Sequence, residues 1–307
     1  MSAGKAAQDP TTLRWGLIGF GEAGRVIGAA LTAAGADLLV HDHALSDPGR
    51  AEGVRAAVTA AGARVADDVA ELAGCDVVLS LVTPATAVAA ADAFAPHARG
   101  GVLYVDLNST APQAKHEVRD RLGPARVVDG VMTGGGITLD AARIPISLAG
   151  PDAQEAADLL VAVGLNALVV GEEVGAAAAL KMLRSVVVKG MEALWTEALL
   201  AADQLDVVEP LLAMVEETLD RWPTRDFASM LVSTHVAHAG RRQVEARMVR
   251  ETVEGLGVET IMSSAIVTRQ ERTARGLVAL DRRPGDVPAT LAEALAVLKA
   301  IQDTDAG

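Results

Sequence analysis

The chain has 307 residues, 50% of them hydrophobic, and a formal net charge of −13, so it is long enough for two domains with separate cores. The acidic balance and the lack of any Lys/Arg-rich run exclude nucleic acid and anionic membranes as partners. The one cysteine, Cys75, excludes a disulfide framework, and since the sequence shows neither an apolar leader nor a membrane-length apolar run, we expect a cytoplasmic protein.

Residues 1–12 are small and polar, and we expect a disordered leader there. A strand–turn–helix–strand pattern follows at 13–42, and its turn reads Gly19-Phe20-Gly21-Glu22-Ala23-Gly24. In such a turn the first glycine permits a tight bend, the second lets a pyrophosphate approach the backbone, and the third lets the helix lie close to the strand. Because the helix N-terminus also offers free N–H groups to phosphates, we predict that these six residues bind a dinucleotide.

Asp42 ends the second strand, about 20 residues after the first glycine, where an acid binds the adenosine ribose in dinucleotide-binding folds. A carboxylate there accepts hydrogen bonds from the ribose hydroxyls and repels a 2′-phosphate, which favours NAD over NADP. His41, His43 and Arg50 lie nearby and would offset this charge, so NADP stays open.

Further apolar runs predict buried strands, each followed by a polar turn. Ligands bind at the carboxyl ends of strands in a doubly wound sheet, so we expect the turn Val82-Thr83-Pro84 beside the cofactor. The later turns combine hydroxyl and amide groups with exposed backbone N–H groups; they are Asn108-Ser109-Thr110 and Thr133-Gly134-Gly135. Such groups suit a substrate carboxylate, and Asn108 is expected to contact the cofactor as well. The alternative is that these hydroxyls only cap helices.

The alternation of strands and helices ends near residue 171. We therefore predict an α/β fold, with a Rossmann-like doubly wound parallel sheet at 13–171 and an all-α substrate and dimerisation domain at 172–307. A long helix over 173–205 would join the two domains.

Lys181, Arg184 and Ser185 share one face of that helix at helical spacing. Lys181 stands among small apolar residues. A lysine partly desolvated beside a positive nicotinamide has a lowered pKa, which suits a general acid/base. The alternative is a surface lysine whose stem lies along apolar surface.

These motifs resemble those of the β-hydroxyacid dehydrogenase and 6-phosphogluconate dehydrogenase superfamily. The family patterns GxGxMG, D-x-S-[ST]-x-x-P, D-A-P-V-S-G-G and G-x-G-x-x-x-K-x-x-N-N fall on residues 19–24, 106–112, 129–135 and 175–185. Ala23, Asn108, Thr133 and Ala177 replace the family's methionine, serine, serine and glycine. Arg184 and Ser185 stand where the family carries two asparagines. It is therefore open whether the family's usual small hydroxy acids are substrates of this chain.

The resemblance implies NAD(P)-dependent hydride transfer between a hydroxy acid and its carbonyl. Lys181 would be the acid/base, and Asn108 or Ser185 would orient the reacting oxygen. The substrate carboxylate would be held by Ser109, Gly134 and Gly135. The family also implies a homodimer through the helical domain. Two alternatives remain. One is an imine reductase, a related class whose members often lack the lysine, and the other is a non-catalytic NAD(P)-binding protein.

The run His238-Ala239-Gly240-Arg241-Arg242 resembles a subgroup of phosphogluconate-dehydrogenase-like proteins with their own C-terminal domain. We expect His238 to bind substrate, and His235, Arg241 and Arg242 are further candidates; the alternative is a solvated basic helix face. If the arginines line the site, they favour a small anionic substrate. No spacing of His, Asp and Glu indicates a metal site.

Overall fold

The computed structural model describes residues 9–133, 143–283 and 285–305. Residues 1–8 of the predicted leader lie outside the described residues. Its end, Pro10–Thr12, forms a turn of 3-10 helix, and the indole Nε1 of Trp15 donates a hydrogen bond to Pro10 O at 3.0 Å. This end of the leader therefore has regular structure and is tied to the first strand.

The first compact unit is built on one sheet. Its strands are β1 (Arg14–Ile18), β2 (Asp37–His41), β3 (Arg64–Val65), β4 (Val77–Ser80), β5 (Leu103–Asp106), β6 (Arg126–Met132), β7 (Pro145–Ala149) and β8 (Asn166–Gly171). In the described part of the chain the order is β3-β2-β1-β4-β5-β6-β7-β8, with all neighbours parallel except β6 and β7. The predicted Rossmann-like sheet is confirmed, and the last two strands run opposite to the others.

Helices cover both faces of this sheet. They are α1 (Glu22–Ala33), α2 (Ala51–Ala60), α3 (Ala87–Phe94), α4 (Pro112–Leu122) and α5 (Ala153–Ala162). Ile27, Val58 and Leu160 of α1, α2 and α5 lie in one buried cluster, whereas Phe94 and Val118 of α3 and α4 lie in another. Because both faces are covered, strands such as β4 and β5 are buried along their whole length.

The second unit is helical. The chain divides into Met1–Val186 and Val187–Gly307, later than the sequence-based boundary at 171/172. Ala177 and Ala178, near the start of the helix that joins the units, share a buried cluster with strand residues. Its first turns therefore belong to the first unit. The remaining helices are α6 (Ala176–Gln204), α7 (Val208–Asp220), α8 (Thr224–Gly255), α9 (Ile261–Ala279) and α10 (Leu291–Asp305).

Helices α8 and α10 share a small core that contains Val236, Ala294 and Ile301. Gly276 of α9 is required by a close approach to α10, because a Cβ atom there would lie 2.3 Å from Cγ2 of Ile301. Among the described helices, none is both long and apolar enough to cross a membrane.

Candidate active site

The turn after β1 contains two glycines that close backbone approaches require. Gly19 has a φ of 95°, and a Cβ atom there would lie 2.3 Å from Leu81 O. A Cβ atom on Gly24 would lie 2.3 Å from Gly19 O. Gly21 differs, since a Cβ atom on it would meet nothing within 4 Å. The backbone at Gly21 therefore faces open space.

Gly21 is also the N-cap residue of α1, and among the described residues no side chain caps this helix end. The N–H groups of the first turn, which begins at Glu22, are thus left for an external acceptor. An open helix N-terminus after the first strand is where doubly wound folds hold a pyrophosphate. The residues present fit a dinucleotide.

The Asp42 carboxylate holds the glycine turn to the end of β2. Its Oδ2 accepts the Phe20 N–H at 2.7 Å, and its Oδ1 accepts the Ala44 N–H at 2.8 Å. The residue is 8% exposed, and the ring of Phe20 lies in the core. Each carboxylate oxygen retains a second lone pair, so Asp42 can still accept from a ribose hydroxyl. Phe20 was also predicted to bind the cofactor, but its ring packs in the core and supports the glycine turn.

Asn108 joins the ends of β4 and β5. Its Oδ1 accepts the Val82 N–H at 2.6 Å, and its Nδ2 donates to Ser80 Oγ at 2.9 Å and to Asp106 Oδ1 at 2.6 Å. The side chain is 2% exposed. Since both ends of its amide are occupied, Asn108 sets the shape of these turns and has little capacity to orient a substrate oxygen.

A cavity of about 240 Å³ lies at the carboxyl ends of the strands. It brings together residues of α1, of the turns after β4, β5 and β6, and of α6. The lining residues are Ala23, Leu81, Val82, Pro84, Leu107, Asn108, Ser109, Met132, Thr133, Ile144 and Lys181. Within the described ranges, no group of three or more His, Cys, Asp and Glu side chains could hold a metal ion.

Lys181 extends from α6 into this cavity. Its Nζ donates to Ser109 Oγ at 2.5 Å and to Met132 O at 2.7 Å. The side chain is half-buried, and this burial lowers the pKa of the ammonium group; the positive charges of Lys115 and Arg184 lower it further. A lysine with a lowered pKa beside a hydroxyl can exchange a proton with a bound alcohol or carbonyl.

The other predicted substrate residues are placed differently. Arg184 is exposed one turn beyond Lys181, whereas Ser185 Oγ donates to Lys181 O at 2.9 Å within the helix. Thr133 lines the cavity, and its N–H donates to Pro145 O at 2.8 Å. Gly134 and Gly135, predicted to hold a carboxylate, lie outside the described residues. Thr83, predicted beside the cofactor, contacts Thr86 Oγ1 at 2.9 Å through its own hydroxyl.

The histidines and arginines near residue 240 belong to α8 of the second unit. His235 Nε2 lies 2.9 Å from Thr273 Oγ1, and burial lowers the pKa of this imidazole. Arg241 forms an ion pair with Glu245, and His238 is half-buried on the same helix. These contacts of His235 and Arg241 are therefore made with other side chains of the helical unit.

A buried ionic cluster beneath the cavity escaped the sequence-based prediction. Lys115 is 1% exposed and lies 3.2 Å from Asp106 Oδ1 and 3.4 Å from Asp129 Oδ1. One signal was present: Lys115, Val118 and Leu122 form the buried stripe of α4, with the lysine at a position that normally takes an apolar residue. A lysine on such a stripe needs charged or polar partners in the core.

Two of the solved structures that are similar to this chain match most of it at more than 30% identity. A conserved hypothetical protein from Sinorhizobium meliloti 1021 is 34% identical, with 94% of this chain and 96% of that chain covered and a TM-score of 0.61. The conserved protein MTH1747, of unknown function but structurally similar to 3-hydroxyacid dehydrogenases, is 31% identical. That match covers 86% of this chain and 97% of that one, with a TM-score of 0.61.

Imine reductases share the fold at lower identity. The V8 variant of the enzyme from Myxococcus stipitatus, solved in complex with NAD+, is 19% identical; the match covers 93% of this chain and 99% of that one, with a TM-score of 0.70. The family model of DUF1932, a domain of unknown function, matches residues 202–273. This match falls in the helical part of the chain.

Proposed function

The chain belongs to the β-hydroxyacid dehydrogenase-like superfamily, and we propose that it is an NAD(P)-dependent oxidoreductase that interconverts a hydroxy acid, or a related alcohol, and its carbonyl compound. The observation that carries this proposal is the position of Lys181. Its amine reaches a cavity that is also lined by Ala23, at the N-terminus of α1, and by Ser109. Hydride transfer at an alcohol carbon needs such a proton-transferring group beside the dinucleotide site.

The glycine turn and Asp42 would hold the cofactor. The phosphates would approach Gly21 and the first N–H groups of α1, where the backbone is open. The bound nicotinamide supplies or accepts the hydride. Asp42 favours NAD because its carboxylate repels a 2′-phosphate; NADP is the alternative, since His43 Nδ1 lies 3.4 Å from Asp42 Oδ1 and offsets the charge when protonated.

Lys181 would act on the substrate oxygen. Its free amine accepts the hydroxyl proton during oxidation, and its ammonium group returns a proton to the carbonyl oxygen during reduction. Because the pKa of Lys181 is lowered, a larger fraction of this side chain is in the free-amine form at a given pH. The hydroxyl of Ser109, which already contacts Nζ, is positioned to donate a hydrogen bond to the substrate.

We propose a small anionic substrate for this site. Arg184 is exposed one turn beyond Lys181, and no ion pair holds it among the described residues. Its guanidinium group can bind a carboxylate with two parallel hydrogen bonds. Gly134 and Gly135 would be backbone donors to that carboxylate, as the family motif implies.

Two alternative functions differ in what Lys181 does. An imine reductase shares the architecture, but the resemblance associates that activity with sites that often lack the lysine. A protein that binds NAD(P) without catalysis needs no catalytic motif. This alternative would explain why Arg184 and Ser185 depart from the family's motif. Cofactor binding without turnover of any acid, alcohol or imine would favour this second alternative.

We also propose a cytoplasmic homodimer that forms through the helical domain. Within the helical unit, α6 exposes large apolar side chains: Val187, Met191 and Leu194 are 60%, 48% and 40% exposed. Contiguous exposed apolar surface of this kind is typical of protein–protein interfaces. Analytical ultracentrifugation would test this assignment, and a monomer at micromolar concentration would contradict it.

The first experiment is a calorimetric titration of NAD(H) and NADP(H) into the wild-type protein. It is followed by a turnover screen against a panel of hydroxy acids, alcohols and imines, with Lys181→Ala as the inactive control. Binding of NADH with turnover of a hydroxy acid that depends on Lys181 is the expected result. If neither nucleotide binds, the glycine turn is not a cofactor site and the oxidoreductase assignment fails.

A further inference from the structure

Lys115 of α4 contacts the carboxyl ends of two neighbouring strands. Its Nζ donates to Asp106 O at 2.7 Å, at the end of β5, and to Gly130 O at 3.0 Å, in β6. The same atom lies 3.2 Å from Asp106 Oδ1 and 3.4 Å from Asp129 Oδ1. All three side chains are buried, so among the described residues these are the partners that stabilise the ammonium group.

Each carboxylate of this cluster holds a different half of the candidate site. Asp106 Oδ1 accepts the backbone N–H of Asn108 at 3.0 Å and its Nδ2–H at 2.6 Å, and Asn108 directly precedes Ser109. Asp129 Oδ2 accepts the N–H groups of Gly175 and Ala178, each at 3.0 Å. Those two amides lie at the start of α6, within two turns of Lys181.

We propose that Lys115 is a positioning residue for the Lys181–Ser109 pair. Its ammonium group binds the carboxylates of Asp106 and Asp129, and through them it keeps the Ser109 turn and the start of α6 in register. Lys115 is not among the residues that line the cavity, so it acts through these neighbours. The catalytic consequence rests on the proposed function, whereas the positioning is a property of the protein without cofactor or substrate.

The charges around Lys181 are consistent with this role. Lys181 faces Lys115 from α4 and Arg184 from its own helix, while Asp106 and Asp129 contact Lys115 from the two strands. Asp106 Oδ2 has no hydrogen-bond partner in the described part of the chain. Burial raises the pKa of this carboxyl, and the charge of Lys115 opposes that change. Lys115 therefore favours the ionised form of Asp106 against the effect of burial.

The test uses the charge-balanced variant Lys115→Met/Asp129→Asn, which removes a cation and an anion together. The probe is isotopically labelled acetic anhydride applied to the protein without cofactor. Mass spectrometry compares acetylation of Lys181 with that of Lys299, an exposed lysine of α10. We expect the Lys181 to Lys299 ratio to rise severalfold, because Nζ loses its fixed place between Ser109 Oγ and Met132 O.

With a substrate identified, kcat of this variant should fall on the order of 100-fold with little change in KM, as a misplacement of about 1 Å can cause. The matched control is Arg126→Met/Asp152→Asn, which removes an ion pair at the other end of β6. The control should keep the wild-type labelling ratio and kcat.

An unchanged labelling ratio in the folded Lys115→Met/Asp129→Asn variant overturns the proposal, and so does an equal change in the control. If that variant does not fold, Asp129→Asn alone tests the same link, since it keeps an oxygen acceptor for α6 but turns an amide towards Lys115; a wild-type ratio there also overturns the proposal. A wild-type protein without turnover refutes the proposed function, whereas the labelling comparison still decides the positioning role.

Discussion

Lys181 Nζ and Ser109 Oγ form a hydrogen bond of 2.5 Å between residues that are 72 positions apart in the chain. Lys181 comes from α6 and Ser109 from the turn after β5. A second hydrogen bond, from Nζ to Met132 O, adds the end of β6. Three elements of the first unit thus determine where this amine lies, and its chemistry depends on how well they hold it.

Lys181→Met keeps the side-chain length and removes the amine. We expect kcat/KM to fall by about 10²–10⁴-fold, the usual contribution of a general acid/base, with unchanged cofactor affinity. Steady-state kinetics with the substrate from the screen and calorimetric titration of the cofactor measure these two effects. Lys189→Met, which alters an exposed lysine of the same helix, should remain active. Full activity of Lys181→Met would exclude the acid/base role.

The lowered pKa of Lys181 gives the two reaction directions opposite pH dependences. Burial, followed by the charges of Lys115 and Arg184, brings this pKa below its usual 10.5. Oxidation needs the free amine, so kcat/KM should rise as the pH increases through that pKa. Reduction needs the ammonium group, so kcat/KM should fall over the same interval. Rate profiles from neutral to alkaline pH in both directions test this, and slopes of the same sign would contradict it.

Asp42→Ala should change both cofactor choice and stability. Loss of the carboxylate removes the repulsion of a 2′-phosphate, so NADPH should bind more tightly and NADH more weakly. The Phe20 and Ala44 N–H groups also lose their acceptor, which should lower the free energy of unfolding by about 1–3 kcal/mol. Calorimetric titration and urea denaturation measure the two effects.

Asp42→Asn separates the charge of this residue from its hydrogen bonds. It keeps the shape and one oxygen acceptor, so it should retain more stability than Asp42→Ala while still shifting the preference towards NADPH. An unchanged ratio of NADPH to NADH affinity in both variants would show that Asp42 has no part in cofactor choice.

Gly21→Ala and Gly24→Ala should have different consequences. The added Cβ at Gly21 meets nothing within 4 Å, so the free protein should be as stable as the wild type while dinucleotide affinity falls. The added Cβ at Gly24 would lie 2.3 Å from Gly19 O and should destabilise the free protein by about 1–3 kcal/mol. Thermal unfolding without cofactor and nucleotide titration distinguish the two. Wild-type affinity in Gly21→Ala would place the phosphates elsewhere.

The first βαβ unit and its glycine turn could be predicted from the sequence because their determinants are local. The tight turn at Gly19, the open backbone at Gly21 and the acid at Asp42 follow from residue type and spacing within about 30 positions. The helix that carries Lys181 could be predicted in the same way, from helical spacing after the last strand. The reversed direction of β7 and β8 was not predicted, since strand direction depends on the path of the connection.

The sequence by itself therefore determined the fold class and the glycine turn, since both follow from short-range pattern and backbone sterics, whereas the prediction that Lys181 is the acid/base also needed the family resemblance. Only the tertiary structure decided that the Asn108 amide is occupied within the protein, that Lys181 contacts Ser109, and that Lys115 is a buried cation between Asp106 and Asp129. These assignments depend on contacts between different strands and helices. Burial changes the free energy of a charge according to the partners that the fold supplies, and one-dimensional spacing does not specify those partners.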